Sequence, residues 1–167
     1  AGLKTGESSI EADRLDFARG ILSLAKSKAI QVHLPEDVVI ASTFAADPQE
    51  HKTVLTDQVP DGWYIMDIGE NSAQIFSQVL ASCKTIIWNG PMGVFEMPKF
   101  SQGTRVVAKA IADLRDATTV VGGGSTAEVV EELGMMDQIT HVSTGGGASL
   151  EFLEGKELPG IAALPDA

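Results

Sequence analysis

Apolar positions along the chain keep two rhythms, and the places where one gives way to the other mark its elements. Thr85-Ile-Ile-Trp88 and Thr118-Thr-Val-Val121 are short β-branched runs of the kind that fills a strand covered on both faces. Val38-Val-Ile40 and Trp63-Tyr-Ile-Met-Asp-Ile68 predict two more strands, the first within Gln31 to Ser42, where Pro35 is tolerable only at an edge or bend. Val107, Ala110, Ile111 and Leu114 mark one face of a helix, as do Val129, Val130 and Leu133, and Ile75, Val79 and Leu80 mark a third, capped by Asn71 or Ser72. Near the start, Ser8 with Glu11 reads as a capping box for a helix with Leu15, Ala18, Leu22, Ala25 and Ala29 on its inner face, ending near Lys28. Thr43 to Gly62 is polar and without period, and is expected to be a long loop, functional or mobile. Strands at Thr85, Thr118 and Ile139 separated by helical patterns give βαβ units. The expected fold is therefore α/β, a Rossmann-like three-layer αβα arrangement with a mainly parallel sheet.

Two of the strand-to-helix passages are built on three consecutive glycines. Thr118 to Leu133 turns at Gly122, Gly123 and Gly124, and His141 to Leu153 turns at Gly145, Gly146 and Gly147. Glycine removes the Cβ atoms that keep a ligand off the backbone, so amides at the following helix N-terminus can face a phosphate. One such turn is more often a tight connection than a ligand site. Two in tandem, at the carboxyl ends of strands in an open α/β sheet, point to a single polyphosphate site. Neither is followed by the Gly-Lys-Ser/Thr of a P-loop, and neither is a GxGxxG fingerprint, so any phosphate chemistry here follows another scheme. A rival reading takes Gly123-Gly-Ser-Thr-Ala127 as a nucleophile elbow around Ser125, with Asp137 and His141 following in Ser, Asp, His order. Their closeness to the nucleophile helix argues against a serine hydrolase, because triad partners usually arrive on later strands.

Composition narrows the partners. The chain's 167 residues suit one domain, and 23 acidic against 12 basic side chains give a net charge of −11, which repels nucleic acid and anionic membrane. A phosphate ligand must then be held by local amides, a metal ion or a basic group from elsewhere. No apolar run approaches membrane-spanning length, and a cytoplasmic location is expected. The single Cys83 has no internal disulfide partner, and nothing groups it with His33, His51 and His141 as a metal site. The opening Ala1 to Gly6, without a starting methionine, is expected to continue something earlier.

Trp88-Asn-Gly-Pro-Met-Gly-Val-Phe-Glu96 is the most specific stretch, and it resembles the WNGPxGVFE motif of the phosphoglycerate kinase family. In family order come Trp63 to Gly69, similar to GWxxxDIG, the turn at Gly122, Ser143-Thr-Gly-Gly-Gly-Ala-Ser149, and the tail Leu153 to Gly160. The resemblance implies a two-lobed glycolytic enzyme: one lobe holds 3-phosphoglycerate or 1,3-bisphosphoglycerate, and a Rossmann-like lobe holds ADP or ATP with Mg2+. This chain resembles most of the second lobe, with residues 1–157 as a partial nucleotide-binding lobe and 158–167 as a tail that crosses to the other. The first lobe and the opening strands of the second are missing from it, which is expected to leave hydrophobic sheet edge exposed. By motif position, Glu96 is similar to the carboxylate that takes the ribose hydroxyls, and Asn89, with Gly90 and Pro91 shaping its loop, to the residue that reaches the phosphates. Gly122, Gly123, Gly124, Ser125 and Thr126 resemble the polyphosphate end of the site. Gly145, Gly146 and Gly147 resemble the catalytic turn facing the transferring phosphoryl group.

Two positions depart from the family pattern. Ser125 stands where the family has a magnesium-contacting Asp, which leaves the metal ligands open; Ile65 and Met66 replace the family's Gly and Leu near the adenine, Met66 conservatively and Ile65 with added bulk. The implied chemistry is reversible phosphoryl transfer from 1,3-bisphosphoglycerate to ADP by a full-length monomer. The 167 residues alone are expected to turn nothing over, as a binding-only module that holds nucleotide or that folds only with its missing lobe.

Overall fold

A computed structural model describes residues 1–164. The chain forms two compact units, Ala1–Gln78 with Met92–Val106, and Val79–Pro91 with Val107–Ala167. Helices α2 (Glu70–Ala81) and α3 (Gln102–Ala112) pass from one unit into the other. Of the tail expected over 158–167, Pro159–Ala162 forms a single helical turn, and residues 165–167 lie outside the described residues.

The first unit holds an antiparallel sheet in the order β2-β1-β3, with β1 at Asp37–Ala41, β2 at His51–Leu55 and β3 at Tyr64–Ile68. β2 lies inside the stretch expected to be one long loop. Its side chains are mostly exposed, so no apolar alternation announces it, and its pairing with β1 decides its conformation. β3 pairs with β1 through an irregularity at Val39 and Ile40, where Asp67 and Ile65 are the partners and Met66 is passed over. Val38, Ile40 and Val59 form one core cluster; Ala41, Met66 and Phe100 form another.

The helix expected from Ser8 begins later, at Leu15, and runs as α1 to Ser27. Ser8 is engaged elsewhere: its hydroxyl accepts the amide of Ile65 at 2.8 Å, and Glu7 N donates to the Trp63 carbonyl at 2.8 Å. The end near Lys28 holds, because Ala29 takes a left-handed conformation (φ 53°) and Ile30 N returns to the Ala25 carbonyl at 2.9 Å. Of the face expected to turn inward, Ala25 is buried and Leu22 half-buried, while Leu15, Ala18 and Ala29 are exposed, as are Phe17, Ile21 and Leu24 beside it.

Two buried carboxylates start α2 and α3. Asp37 accepts the amides of Asn71 at 3.2 Å and Ser72 at 2.8 Å, and Ser72 Oγ in turn accepts the amides of Glu36 and Asp37. The expected caps Asn71 and Ser72 are thus themselves capped. Asp67, 2 % exposed, accepts the amides of Gly103 and Ile68, each at 2.8 Å. Both carboxylates demand glycine beside them. A Cβ at Gly69 would lie 2.1 Å from the Asp37 carboxyl, and Cβ atoms at Gly93 and Gly103 would lie 2.3 and 2.5 Å from Asp67 Oδ1.

The second unit carries a parallel sheet in the order β4-β5-β6, with strands Thr85–Asn89, Thr118–Gly122 and His141–Ser143. Thr119 and Thr140 exchange two bonds, each amide donating to the other's hydroxyl at 3.1 and 3.0 Å, which fixes the start of β6 beside β5. α4 (Gly124–Glu132) buries Val129 and Val130, and α5 (Gly146–Leu153) follows β6. β4 is not covered on both faces as its sequence led us to expect: Ile86 and Trp88 are buried, while Thr85, Ile87 and Asn89 are exposed. The architecture is the α/β fold expected, with the parallel sheet in this unit and an antiparallel one in the first.

Asp37→Ala removes a buried acceptor from two helix amides and is expected to cost about 2 kcal/mol. Asp61→Ala breaks only the exposed pair with Lys4 and is expected to cost less than about 0.5 kcal/mol; urea denaturation of both variants makes the comparison. Burial pushes the Asp67 carboxyl up to about 6, against the pull of the Gly103 and Ile68 amides. A raised folded-state pKa favours the fold below the ordinary value and loses that contribution as pH rises through about 6. The stability difference between Asp67→Asn and the parent chain should therefore move in the variant's favour from pH 4 to pH 7, and a difference flat over that range would contradict the assignment.

Candidate functional site

The three parallel strands end in register. Asn89 pairs with Gly122 and Gly122 with Ser143, so the carboxyl ends of β4, β5 and β6 deliver the Asn89–Gly90 turn and both glycine turns to one edge of the sheet. The two glycine turns then meet. Gly123 N donates to the Ser143 carbonyl at 3.0 Å, and a Cβ at Gly146 would fall 2.8 Å from Gly123 Cα. A Cβ at Gly123, whose φ is +94°, would fall 2.9 Å from Asn89 Oδ1. Backbone thus touches backbone with the Asn89 side chain beside the contact, and glycine alone permits it.

Helix N-termini open from this junction. α4 has Gly123 as N-cap and α5 has Gly145, and no side chain caps either. The first amides of a helix have no partner within it, and each N-terminus carries roughly half a positive charge. No acidic residue stands in the first turn of α4 or α5 to compete for those amides. Gly124, the first residue of α4, and Gly147, the second of α5, have nothing within 4 Å of where a Cβ would be. The arrangement offers donors and space to an anion in a chain that is otherwise strongly negative.

Neighbouring side chains brace the Asn89–Gly90 turn and the second glycine turn. Thr126 Oγ1 accepts the Gly90 amide at 2.7 Å, and Trp88 Nε1 donates to the Gly90 carbonyl at 2.7 Å. Ser143 Oγ accepts the Gly145 amide at 3.2 Å, while Ser149 Oγ donates to the Gly145 carbonyl at 2.9 Å. Sequence reasoning passed over Ser143, Ser149 and the Trp88 indole as braces. A hydroxyl two residues before Gly145 and another four residues after it was the signal that could have found the first two.

The structure brings together Asn89, Gly90, Gly122, Gly123, Gly124, Thr126, Gly145, Gly146 and Gly147, with Pro91 next in the chain and the exposed Ser125 on the first turn of α4. Met66 and Glu96 belong to the first unit. Met66 is 1 % exposed and packs against Ala41 and Phe100, so its side chain faces core rather than open space. Glu96 is exposed at the end of its loop, after Phe95, which packs beneath the Arg105 guanidinium at 5.5 Å. The hydrolase reading finds no support: no hydrogen bond joins Ser125, Asp137 and His141 among the described residues. His141 stands at the start of β6 and lines, with Ile87, Val120, Phe152 and Leu158, a mainly apolar hollow of about 460 Å3 that reaches Ser143 and Gly145.

A family model described as Phosphoglycerate kinase matches residues 1–156. The chain is 51 % identical over 166 residues to "Phosphoglycerate kinase" of Trichodesmium erythraeum (strain IMS101), covering 99 % of this chain and 41 % of that protein. It is 51 % identical over 168 residues to "Phosphoglycerate kinase 3, cytosolic" of Arabidopsis thaliana, covering 99 % of this chain and 42 % of the relative. Among solved structures, phosphoglycerate kinase from Coxiella burnetii superposes with a TM-score of 0.90 at 40 % identity, over 96 % of this chain and 41 % of that one. The enzyme from Pyrococcus horikoshii OT3 gives 0.68 at 32 % identity, over 98 % and 40 %. The chain spans about two-fifths of the length of these relatives. Across nearly its whole length, the chain belongs to the phosphoglycerate kinase family.

Proposed function

We propose that this chain forms most of the nucleotide-binding lobe of a phosphoglycerate kinase, a cytosolic and monomeric phosphotransferase when whole. The whole protein would move a phosphoryl group reversibly between the acyl phosphate of 1,3-bisphosphoglycerate and ADP, giving 3-phosphoglycerate and ATP. The observation that supports this most is the pair of glycine turns in backbone contact, each opening a helix whose N-terminus no side chain caps. In this reading Gly122 to Gly124, the Ser125 hydroxyl and the first amides of α4 take the ADP phosphates, with Asn89 reaching them from its turn. The Gly145 to Gly147 turn and α5 face the transferring group, whose charge spreads over its equatorial oxygens in flight. A fixed helix dipole aimed at that charge lowers the barrier without reorganising. Glu96 takes the ribose hydroxyls. The phosphoglycerate site lies with the other lobe, so these residues by themselves bind nucleotide without turnover.

The residues present do not fit a metal held by the protein. No carboxylate stands in the first turn of α4 or α5, and no group of three or more His, Cys, Asp or Glu able to hold a metal occurs among the described residues. Mg2+ would arrive on the nucleotide's own phosphates, with at most the Ser125 hydroxyl added.

Calorimetric titration of the purified chain with ADP tests the site. Saturable binding is expected, weakened about tenfold, or about 1.4 kcal/mol, by Glu96→Ala. Gly124→Ala puts a methyl into open space where a phosphate would approach, so it should weaken ADP binding with no loss of stability. Gly123→Ala meets a positive φ and should lower the denaturation midpoint as well. A folded chain that ignores ADP, or a Gly124→Ala variant that binds as the parent does, would overturn the reading. In a coupled assay with 1,3-bisphosphoglycerate and ADP, the 167 residues alone should form no ATP.

A further inference from the structure

Thr126 stands within the glycine-turn cluster, yet its side chain is turned away from any ligand. It is 1 % exposed, in the first turn of α4, and its Oγ1 accepts the Gly90 amide at 2.7 Å. Gly90 has a φ of +103°, a left-handed conformation, and both its backbone groups are engaged, the carbonyl by the Trp88 indole at 2.7 Å. The residue held at the head of this clamped turn is Asn89, whose Oδ1 lies where Cβ atoms at Gly123 and Gly146 would come within 2.9 and 3.4 Å. Thr126 therefore belongs by its backbone to the helix that starts at the first glycine turn and by its hydroxyl to the turn that presents Asn89.

We infer that Thr126 is a positioning residue for Asn89: its buried hydroxyl ties the Asn89–Gly90 turn to the first turn of α4, so that both anion-facing elements are set as one unit. This rests on the nucleotide reading above. It gives the Thr126 side chain a different task from direct contact with the nucleotide, since a residue 1 % exposed presents no surface to a phosphate. Valine at this position keeps the shape and loses the acceptor, leaving the Gly90 amide without its partner. Serine keeps the acceptor.

Two measurements on the full chain decide it. The first is hydrogen exchange at the Gly90 amide by NMR. Thr126→Val should speed it about tenfold, Thr126→Ser should leave it within about threefold, and amides at Val129 and Val130 should report whether α4 as a whole has loosened. The second is ADP titration in a double-mutant cycle with Asn89→Ala. Thr126→Val should weaken ADP binding about tenfold in the parent and hardly at all once Asn89 is gone, and Thr126→Ser should restore binding. An equal loss in both backgrounds would mean that Thr126 does not act through Asn89 and would overturn the inference. Should the parent chain fail to bind ADP, the nucleotide reading falls, and the Gly90 amide alone decides: an unchanged exchange rate in Thr126→Val refutes the tie. If Thr126→Val does not fold, Trp88→Phe, which frees the Gly90 carbonyl, should speed Gly90 exchange and weaken ADP in the same Asn89-dependent way, and normal behaviour in that variant would count against the clamp.

Discussion

The approach of Gly146 to Gly123 constrains everything at the working edge of the parallel sheet. A methyl group at Gly146 would sit 2.8 Å from Gly123 Cα, so the two turns can share one place only while neither carries a side chain there. That contact depends on β5 and β6 ending together, which the Gly122–Ser143 register and the paired threonines at the other end of those strands provide. Given the contact, α4 and α5 must both begin at the same edge, and Asn89 at the end of β4 is brought to the seam. The site follows from strand register and from missing Cβ atoms more than from any single reactive group.

The two units treat their helix N-termini in opposite ways. In the first, α2 and α3 begin on amides already taken by the buried carboxylates of Asp37 and Asp67, and Gly69, Gly93 and Gly103 exist to make room for those carboxylates. In the second, α4 and α5 begin on glycines with no side-chain cap and no acid in the first turn. A carboxylate built into the fold satisfies an orphan amide permanently, and an uncapped start keeps the same electrostatic attraction for an anion that comes and goes. The glycines of the two units therefore meet different conditions: some make room for a buried carboxylate, and others open helices that no side chain caps.

Much of this was legible in the sequence, and the failures share a cause. β4, β5, α3 and α4 were readable because their apolar spacing is set by burial, and the arrival of the glycine turns at one edge of the sheet was readable because two copies follow two strands. Ser8 was misread because its local pattern imitates a cap, while its true partner, the Ile65 amide, lies 57 residues away. Asp37 was missed for the same reason, since it caps a helix that starts 33 positions later in the numbering. β2 gave no signal because an exposed edge strand needs no apolar alternation. Within the site, the sequence placed Thr126 among the ligand-facing residues, but it could not show that the hydroxyl is turned inward to Gly90. Local grammar predicts local partners, and the partners that matter most here are remote.

α1 has a consequence of another kind. A helix of 13 residues that buries only Ala25 draws little support from its surroundings, and an isolated helix of that length is marginal in water. Its opening free energy must then lie well below that of the parallel strands, so the chain should not melt as one cooperative whole. Protease would find the segment around Phe17 and Leu24 long before it found β5, and the order of first cuts would trace the gradient of cooperativity along the molecule.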